Sequence, residues 1–196
     1  MLVDSRRAFV GCVNHALASV GLPPRPAAAL HGFLGPPLHG AFAELAGDSL
    51  ADACVEAYRE RYRLHSSAET SVIEGMASAL AALPDPLVVV TSKPLALTEP
   101  LLRAVGLRDR FEAVFGPALD ERAEPKAVTL QRALEAHAPH TLVGDRSFDV
   151  VAAHAHGLRA IGVLWGIGSE AELRDAGADA IARTPTELPA LLASHD

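Results

Sequence analysis

Five side chains that could act on a phosphate share one feature: each lies just after a predicted strand or in the first turn of a predicted helix. They are Thr91, Ser92, Lys126, Asp145 and Asp149. In open α/β sheets, ligands bind beyond the carboxyl ends of the strands, so these side chains are predicted to surround one crevice. Hydroxyls and backbone N–H groups at a helix start can hold a phosphate, and carboxylates suit Mg²⁺, which prefers oxygen ligands.

Thr91 and Ser92 directly follow the apolar run LVVV at 87–90 and precede Pro94. Because proline suits the first turn of a helix, the two hydroxyl residues stand where a phosphate could meet free N–H groups. The alternative is that Thr91 or Ser92 only caps the helix. By itself this motif does not separate the two interpretations.

Asp145 and Asp149 belong to the segment GDRSFD, which follows the apolar run TLV at 141–143. Gly144 permits a close approach of the backbone, and two carboxylates gathered at a strand end favour a Mg²⁺ site. The alternative is structural. In that case Asp145 caps the following helix, and Asp149 complements the helix dipole from its first turn.

Lys126 and Lys93 are the only lysines of the chain, although Lys and Arg together number 17. Lys126 follows Glu124-Pro125 at a predicted helix start, where a cation opposes the helix dipole. This placement predicts an anionic partner, such as a phosphate, and the alternative is a solvated surface lysine. For Lys93 we expect a surface position or a structural role.

The first third of the chain has helical periodicity, and strands alternate with helices after about residue 70. Strands are predicted at 87–90, 113–115, 141–144, 160–164 and 179–182. The alternation predicts an α/β fold with a doubly wound parallel sheet. We expect an α/β core made of residues 1–6 and 70–196, and a small all-helical unit at 7–69. Such a core usually opens with a strand, whereas this chain opens at a helix cap, so the first strand is expected to be missing.

The composition argues against several classes of protein. The net charge of −7 disfavours a nucleic-acid polymer or a membrane surface as partner. The opening MLVDSRRAF lacks the apolar segment of a secretory signal, and no apolar run approaches the roughly 18 residues of a membrane span. Cys12 and Cys54 are expected to be reduced, buried thiols, although a disulfide between them stays open. We therefore expect a cytoplasmic protein.

The ordered set of motifs resembles the haloacid dehalogenase (HAD) superfamily. The motifs are LVDS at the start, GFLGPPL in the helical part, VVVTSKP, the lysine of EPK, LVGDRSFD, and the tail from GLRAIGVLWGIGS to LPALL. Within the superfamily the chain is similar to phosphoglycolate phosphatases and to related 5′-nucleotidase-like members. The resemblance implies a HAD-like Rossmannoid core with Mg²⁺ as cofactor, and a mobile cap at residues 7–69 that shapes substrate choice.

The resemblance also implies roles for the five side chains. Thr91 would bind the phosphoryl oxygens, assisted by the N–H of Ser92. Lys126 would neutralise the nucleophile and the phosphate. Asp145 would ligate Mg²⁺, and Asp149 would support the metal or its waters.

In the family, the first aspartate of a DxDGT motif attacks phosphorus and forms an aspartyl-phosphate, and the second aspartate acts as acid and base. Met1 stands where the last threonine of that motif belongs, and Asp4 matches the later aspartate of LVDS. We therefore expect the 196-residue chain to lack its nucleophile and to be inactive alone.

The resulting expectation is a Mg²⁺-dependent phosphomonoester hydrolase that acts on a small phosphorylated metabolite. The alternative is a catalytically inactive relative that serves as a binding or regulatory protein. A haloacid dehalogenase proper fits less well, because GDRSFD and the surroundings of Lys126 resemble the metal-dependent branch. The substrate and the oligomeric state stay open.

Overall fold

The computed structural model describes residues 1–35, 37–119 and 124–194. Within these residues the chain divides into two compact units. The α/β unit consists of residues 1–3, 72–119 and 124–194, and the helical unit of residues 4–35 and 37–71. The predicted core also contained residues 120–123 and 195–196, and the predicted helical part contained residue 36. These positions lie outside the described residues.

The helices of the two units follow the predicted periodicity. The helical unit contains α1 (Arg6–Ser19), α2 (Ala27–Leu30), α3 (Leu38–Ala46) and α4 (Asp48–His65). The α/β unit contains α5 (Met76–Ala81), α6 (Leu95–Ala104), α7 (Lys126–Ala136), α8 (Ser147–Ala155), α9 (Glu170–Asp175) and α10 (Leu188–Ala193). Short 3₁₀ turns lie at His31–Phe33, Arg108–Arg110 and Pro185–Glu187.

The strands are short. They are β1 (Val3–Asp4), β2 (Ser71–Val72), β3 (Val88–Val90), β4 (Ala113–Phe115), β5 (Thr141–Gly144), β6 (Arg159–Val163) and β7 (Ala180–Ala182). In the α/β unit all strand pairs are parallel: β3 pairs with β4, and β6 lies between β5 and β7. The predicted bounds of β4 and β5 are confirmed to the residue, because apolar runs between turn residues are strong local signals.

The sequence predicted a single parallel sheet in the α/β unit, but the described strands of that unit form two sheets. One sheet has the order β3–β4 and the other the order β5–β6–β7, and no strand among the described residues joins them. A parallel neighbour must offer N–H and C=O groups along a whole strand edge. Within the described parts of the chain, nothing offers such a row to both β3 and β5.

The core of the helical unit is aromatic. The ring of Tyr58 on α4 meets Phe9 and Phe42 edge-on, with centroids 6.0 and 6.1 Å apart, and stacks on Tyr62 at 5.7 Å. Cys12 and Cys54 are both present as buried thiols. The apolar stripes of α1, α3 and α4 therefore close this core, as expected for amphipathic helices.

Among the described residues, three apolar clusters hold the helices of the α/β unit against its sheets, and two of them lie at β3 and β5. Met76, Leu102 and Phe111 belong to the cluster at β3. Leu130 and Val150 belong to the cluster that packs α7 and α8 against β5 and β6. This packing brings the first turns of α7 and α8 to the ends of the strands. None of the described helices combines the length and apolar character needed to cross a membrane.

Candidate active site

Lys126 is the first residue of α7, and its side chain reaches the carboxyl end of β3. Its Nζ donates a hydrogen bond to the carbonyl oxygen of Val90 at 2.8 Å and lies 3.0 Å from Oδ1 of Asp149. Only 14% of the Lys126 side chain is exposed. The alternative of a solvated surface lysine is therefore wrong, and the anionic partner seen in the structure is Asp149.

Asp149 lies in the first turn of α8 and is buried. Its Oδ2 accepts the N–H groups of Asp145 and Arg146, both at 3.2 Å. Its Oδ1 pairs with the ammonium of Lys126 at 3.0 Å. A Cβ on Gly144 would overlap the side chain of Asp149, so glycine is needed for this approach. The structural alternative for Asp149, a role in the first helical turn, thus applies to Oδ2, whereas Oδ1 pairs with Lys126.

Asp145 follows β5, and the N-cap residue of α8 is Arg146 rather than Asp145. The structural alternative of Asp145 as a helix cap is therefore wrong. Its Oδ2 accepts the N–H of Ile167 at 2.9 Å, and its Oδ1 lies 3.9 Å from the nitrogen of Met1. One of the two carboxylate oxygens is thus held by a backbone N–H group.

Thr91 follows β3 without capping the next helix. Its N–H donates to the carbonyl oxygen of Phe115 at 2.9 Å, and its Oγ1 accepts the N–H of Lys93 at 3.1 Å. The N-cap residue of α6 is Pro94, and no side chain caps that helix. The capping alternative for Thr91 and Ser92 is therefore wrong. The Thr91 hydroxyl accepts one hydrogen bond within its turn and keeps its own proton to donate.

Four of the five predicted residues lie along one connected path. Thr91 follows Val90, whose carbonyl oxygen binds Lys126, and Lys126 pairs with Asp149, which accepts the N–H of Asp145. Ser92 is exposed and takes no part in the contacts seen among the described residues. The ends of β3 and β5 and the first turns of α7 and α8 thus meet at Lys126.

Sequence reasoning missed the loop that follows β6. The N–H of Ile167 binds Oδ2 of Asp145, and the N–H of Gly168 binds the carbonyl oxygen of Asp145 at 3.1 Å. A Cβ on Gly166 or Gly168 would overlap Asp145. The glycine pair just after a strand was a usable signal, because glycine often marks a close approach between backbone segments.

The donor set fits a Mg²⁺ ion in part. Asp145 fits, because a backbone N–H engages only its Oδ2, and Mg²⁺ uses one or two carboxylates together with waters and phosphate oxygens. Asp149 fits a supporting role, because one of its oxygens accepts two N–H groups and the other faces Lys126. Across the described ranges, no cluster of three or more His, Cys, Asp or Glu side chains could hold a metal. Asp145 is thus the residue that would hold the ion.

The comparisons with known proteins agree with this fold. The model of the haloacid dehalogenase-like hydrolase family matches residues 1–163. A 5′-nucleotidase of Pseudomonas aeruginosa is 35% identical over 182 residues, which cover 88% of this chain and 82% of that protein. A phosphoglycolate phosphatase of Cupriavidus necator is 32% identical over 204 residues, which cover 97% of this chain and 88% of that protein.

Two solved structures show the same fold. A predicted phosphatase from Clostridium acetobutylicum superposes with a TM-score of 0.89 at 30% identity, over 99% of this chain and 94% of the other. Protein tyrosine kinase A (PtkA) of Mycobacterium tuberculosis superposes with a TM-score of 0.82 at 32% identity, over 98% and 93% of the two chains. The sequence match spans 60% of the length of that kinase.

The chain belongs to the haloacid dehalogenase-like hydrolase family, and within it to the phosphatase type. The predicted HAD-like α/β fold is confirmed, and so is the similarity to phosphoglycolate phosphatases and 5′-nucleotidases.

Proposed function

We propose that this chain carries most of the active site of a Mg²⁺-dependent phosphomonoester hydrolase that acts on a small phosphorylated metabolite. The observation that carries the proposal is the position of Lys126. Its ammonium lies 2.8 Å from the carbonyl oxygen of Val90 and 3.0 Å from Oδ1 of Asp149. A buried positive charge thus stands where the Thr91 turn and the GDRSFD loop meet, as phosphoryl transfer requires.

Each side chain has a role that follows from its chemistry. The Thr91 hydroxyl and the N–H groups of its turn bind phosphoryl oxygens, and Lys126 offsets the negative charge of the phosphate. Asp149 keeps Lys126 in place and orients the Asp145 loop. Asp145 holds Mg²⁺, which when bound supplies further positive charge against the phosphoryl oxygens. We also propose that residues 7–69, the predicted cap, select the substrate.

The reaction needs a carboxylate that attacks phosphorus. In the first step a carboxylate oxygen bonds to phosphorus, the bond from phosphorus to the substrate oxygen breaks, and the leaving oxygen takes a proton from a neighbouring carboxylic acid. In the second step water gives a proton back to that carboxylate and attacks phosphorus, the bond from phosphorus to the nucleophile breaks, and inorganic phosphate leaves. None of the aspartates in the 196 residues stands in an Asp-x-Asp motif.

We propose that the nucleophile lies on a further strand between β3 and β5. Two observations on the α/β unit support this position. The strands form two separate sheets among the described residues. Oγ1 of Thr141 on β5 is buried and has no hydrogen-bond partner in that part of the chain. A parallel strand at this position would pair both free edges and place its carboxyl end beside Lys126.

The test compares the 196-residue chain with a form extended upstream in the reading frame. An aryl phosphate is the substrate, and activity is measured with Mg²⁺ and with a chelator. We expect hydrolysis only by the extended form with Mg²⁺. Equal Mg²⁺-dependent activity of both forms would overturn the proposed position of the nucleophile. An inactive extended form that carries the motif would overturn the hydrolase itself.

The Thr91 hydroxyl provides a matched pair of variants for the same assay. Replacing Thr91 by Val removes the hydroxyl but keeps the shape, and we expect a loss of roughly 10²-fold in kcat/KM, typical of one donor to a developing negative charge. Replacing Thr91 by Ser keeps the hydroxyl and should retain most of the activity. If the Val variant were as active as the Ser variant, Thr91 would not bind the phosphate.

The names of the relatives define the first substrates to try. The panel contains phosphoglycolate, nucleoside 5′-monophosphates and sugar phosphates, because relatives are named phosphoglycolate phosphatase and 5′-nucleotidase. A preference of at least tenfold in kcat/KM identifies the substrate class.

A catalytically inactive binding protein is the second candidate, and the lack of an Asp-x-Asp motif favours it. It predicts that no upstream frame encodes that motif, and that the 196-residue chain binds phosphorylated metabolites without hydrolysing them. Equilibrium binding of the substrate panel to the 196-residue chain, followed by analysis for released phosphate, separates the two candidates.

A further inference from the structure

The segment 165–172 contacts the Asp145 loop on two sides. On one side, the loop after β6 donates two N–H groups to Asp145, from Ile167 to the carboxylate at 2.9 Å and from Gly168 to the carbonyl oxygen at 3.1 Å. On the other side, Glu172 on α9 binds the two residues that follow Asp145. The three residues that begin at Asp145 are thus held from one short stretch of chain.

Glu172 makes the contacts on the second side of the Asp145 loop. Its Oε1 accepts the Nε–H of Arg146 at 2.9 Å and the backbone N–H of Ser147 at 2.8 Å. Burial acts to raise the pKa of Glu172, but the hydrogen bonds from Ser147 and Arg146 outweigh it and hold the pKa below its ordinary value. The carboxylate is therefore charged at neutral pH, and its side chain is only 27% exposed.

The glycines of the loop make the first side possible. A Cβ on Gly166 would overlap the Asp145 side chain, and a Cβ on Gly168 would overlap its carbonyl oxygen. The backbone therefore approaches Asp145 more closely than a loop of larger residues could. With Oδ2 held by the Ile167 N–H, the carboxylate cannot rotate freely, and the direction of Oδ1 is fixed as well.

We propose that the segment 165–172 positions Asp145 for metal binding, with Glu172 as a positioning residue that touches neither metal nor substrate. This inference rests on the proposed function, because it gives Asp145 the metal. Preorganised ligands bind more tightly, since the ordering is done before the ion arrives. Loss of Glu172 should therefore free the 145–147 turn and weaken Mg²⁺ binding. The residues that bind the phosphate, Thr91 and Lys126, should be unaffected.

The first readout is independent of activity and uses the 196-residue chain. Hydrogen exchange of the backbone amides of Ile167 and Gly168 is followed by NMR in Glu172→Ala. We expect both amides to exchange at least tenfold faster than in the unchanged chain, because their acceptor residue is no longer held. Glu170→Ala is the matched control: it lies in the same helix but pairs with Arg174 and Arg183. It should leave both amides unchanged.

The second readout uses the extended, active form. We expect Glu172→Ala to raise the Mg²⁺ concentration for half-maximal activity at least tenfold, with less than a threefold change in kcat at saturating Mg²⁺. Glu172→Gln keeps an acceptor for the Ser147 N–H and should fall between the unchanged protein and Glu172→Ala. It also keeps the test available if Glu172→Ala does not fold.

The outcomes separate this inference from the proposed function. Unchanged exchange at both amides in the Glu172 variants would overturn the positioning role, whatever the activity. Faster exchange with an unchanged Mg²⁺ requirement would show a merely structural contact and would also overturn it. If the extended form does not hydrolyse phosphates at all, the proposed function fails, and the exchange data still decide how Asp145 is held.

Discussion

The contact between Lys126 and Asp149 leads to a stability prediction that needs no substrate. Replacing Lys126 by Met removes the ammonium and keeps most of the apolar stem. The Asp149 side chain is only 7% exposed, so its charge would remain buried without its cation. The carbonyl oxygen of Val90 would also lose its donor. Both effects lower the free energy of unfolding.

The magnitude follows from the burial of the pair. Removing one partner of a buried ion pair costs about 3–5 kcal/mol, because the remaining charge is uncompensated. Asp149 keeps two backbone N–H groups on Oδ2, both at 3.2 Å, which partly stabilise its charge. We therefore expect a loss at the lower end of that range, about 3 kcal/mol. At about 2–4 °C per kcal/mol for a chain of this size, the melting temperature should fall by about 6–12 °C.

The assay can be confined to the α/β unit. Trp165 is the only tryptophan of the chain and lies in that unit, so its fluorescence in a denaturant titration reports on the unit that holds Lys126. The matched control is Arg103→Met, whose pair with Glu99 is exposed. This control should cost less than about 1 kcal/mol, as exposed ion pairs do.

A double-mutant cycle provides the refutation. Asp149→Asn removes the buried charge, so Lys126→Met should cost less in that background, and the coupling between the two positions should be about 0.5–3 kcal/mol. The reasoning is wrong if Lys126→Met costs no more than Arg103→Met, or if the effects at positions 126 and 149 simply add.

Two further predictions concern packing and pH. Gly144→Ala should cost about 1–3 kcal/mol in thermal unfolding, because the added methyl overlaps the buried aspartate of α8; Gly40→Ala meets open space and should be neutral or stabilising by up to about 1 kcal/mol. Hydrogen bonds from Arg61 hold the pKa of Glu69 below its ordinary value. The stability from this pair is therefore present above the unfolded-state pKa of about 4.3 and is lost as the pH falls through the folded-state pKa. Glu69→Gln should make the fall in melting temperature below pH 5 less steep, whereas the exposed Glu60→Gln should not. If the melting temperature of Glu69→Gln fell with pH as steeply as that of the unchanged chain, this prediction would be wrong.

Much of the fold could be predicted because its signals are local. The strands at 113–115 and 141–144 have the predicted bounds, since an apolar run between turn residues is read within a few residues. The candidate site residues could be chosen for a related reason. In a parallel α/β unit the residues just after the strands lie at one edge, so Thr91 and Asp145 could be named from their place after apolar runs.

Tertiary structure decided how these residues are used. The sequence did not show that Lys126 pairs with Asp149, which is 23 positions away (149 − 126), or that Glu172 holds the turn after Asp145. Such contacts depend on how helices and loops pack, and no local pattern encodes a partner that far along the chain. The division into two sheets has the same origin, because a strand edge is paired or unpaired only by what lies next to it in space.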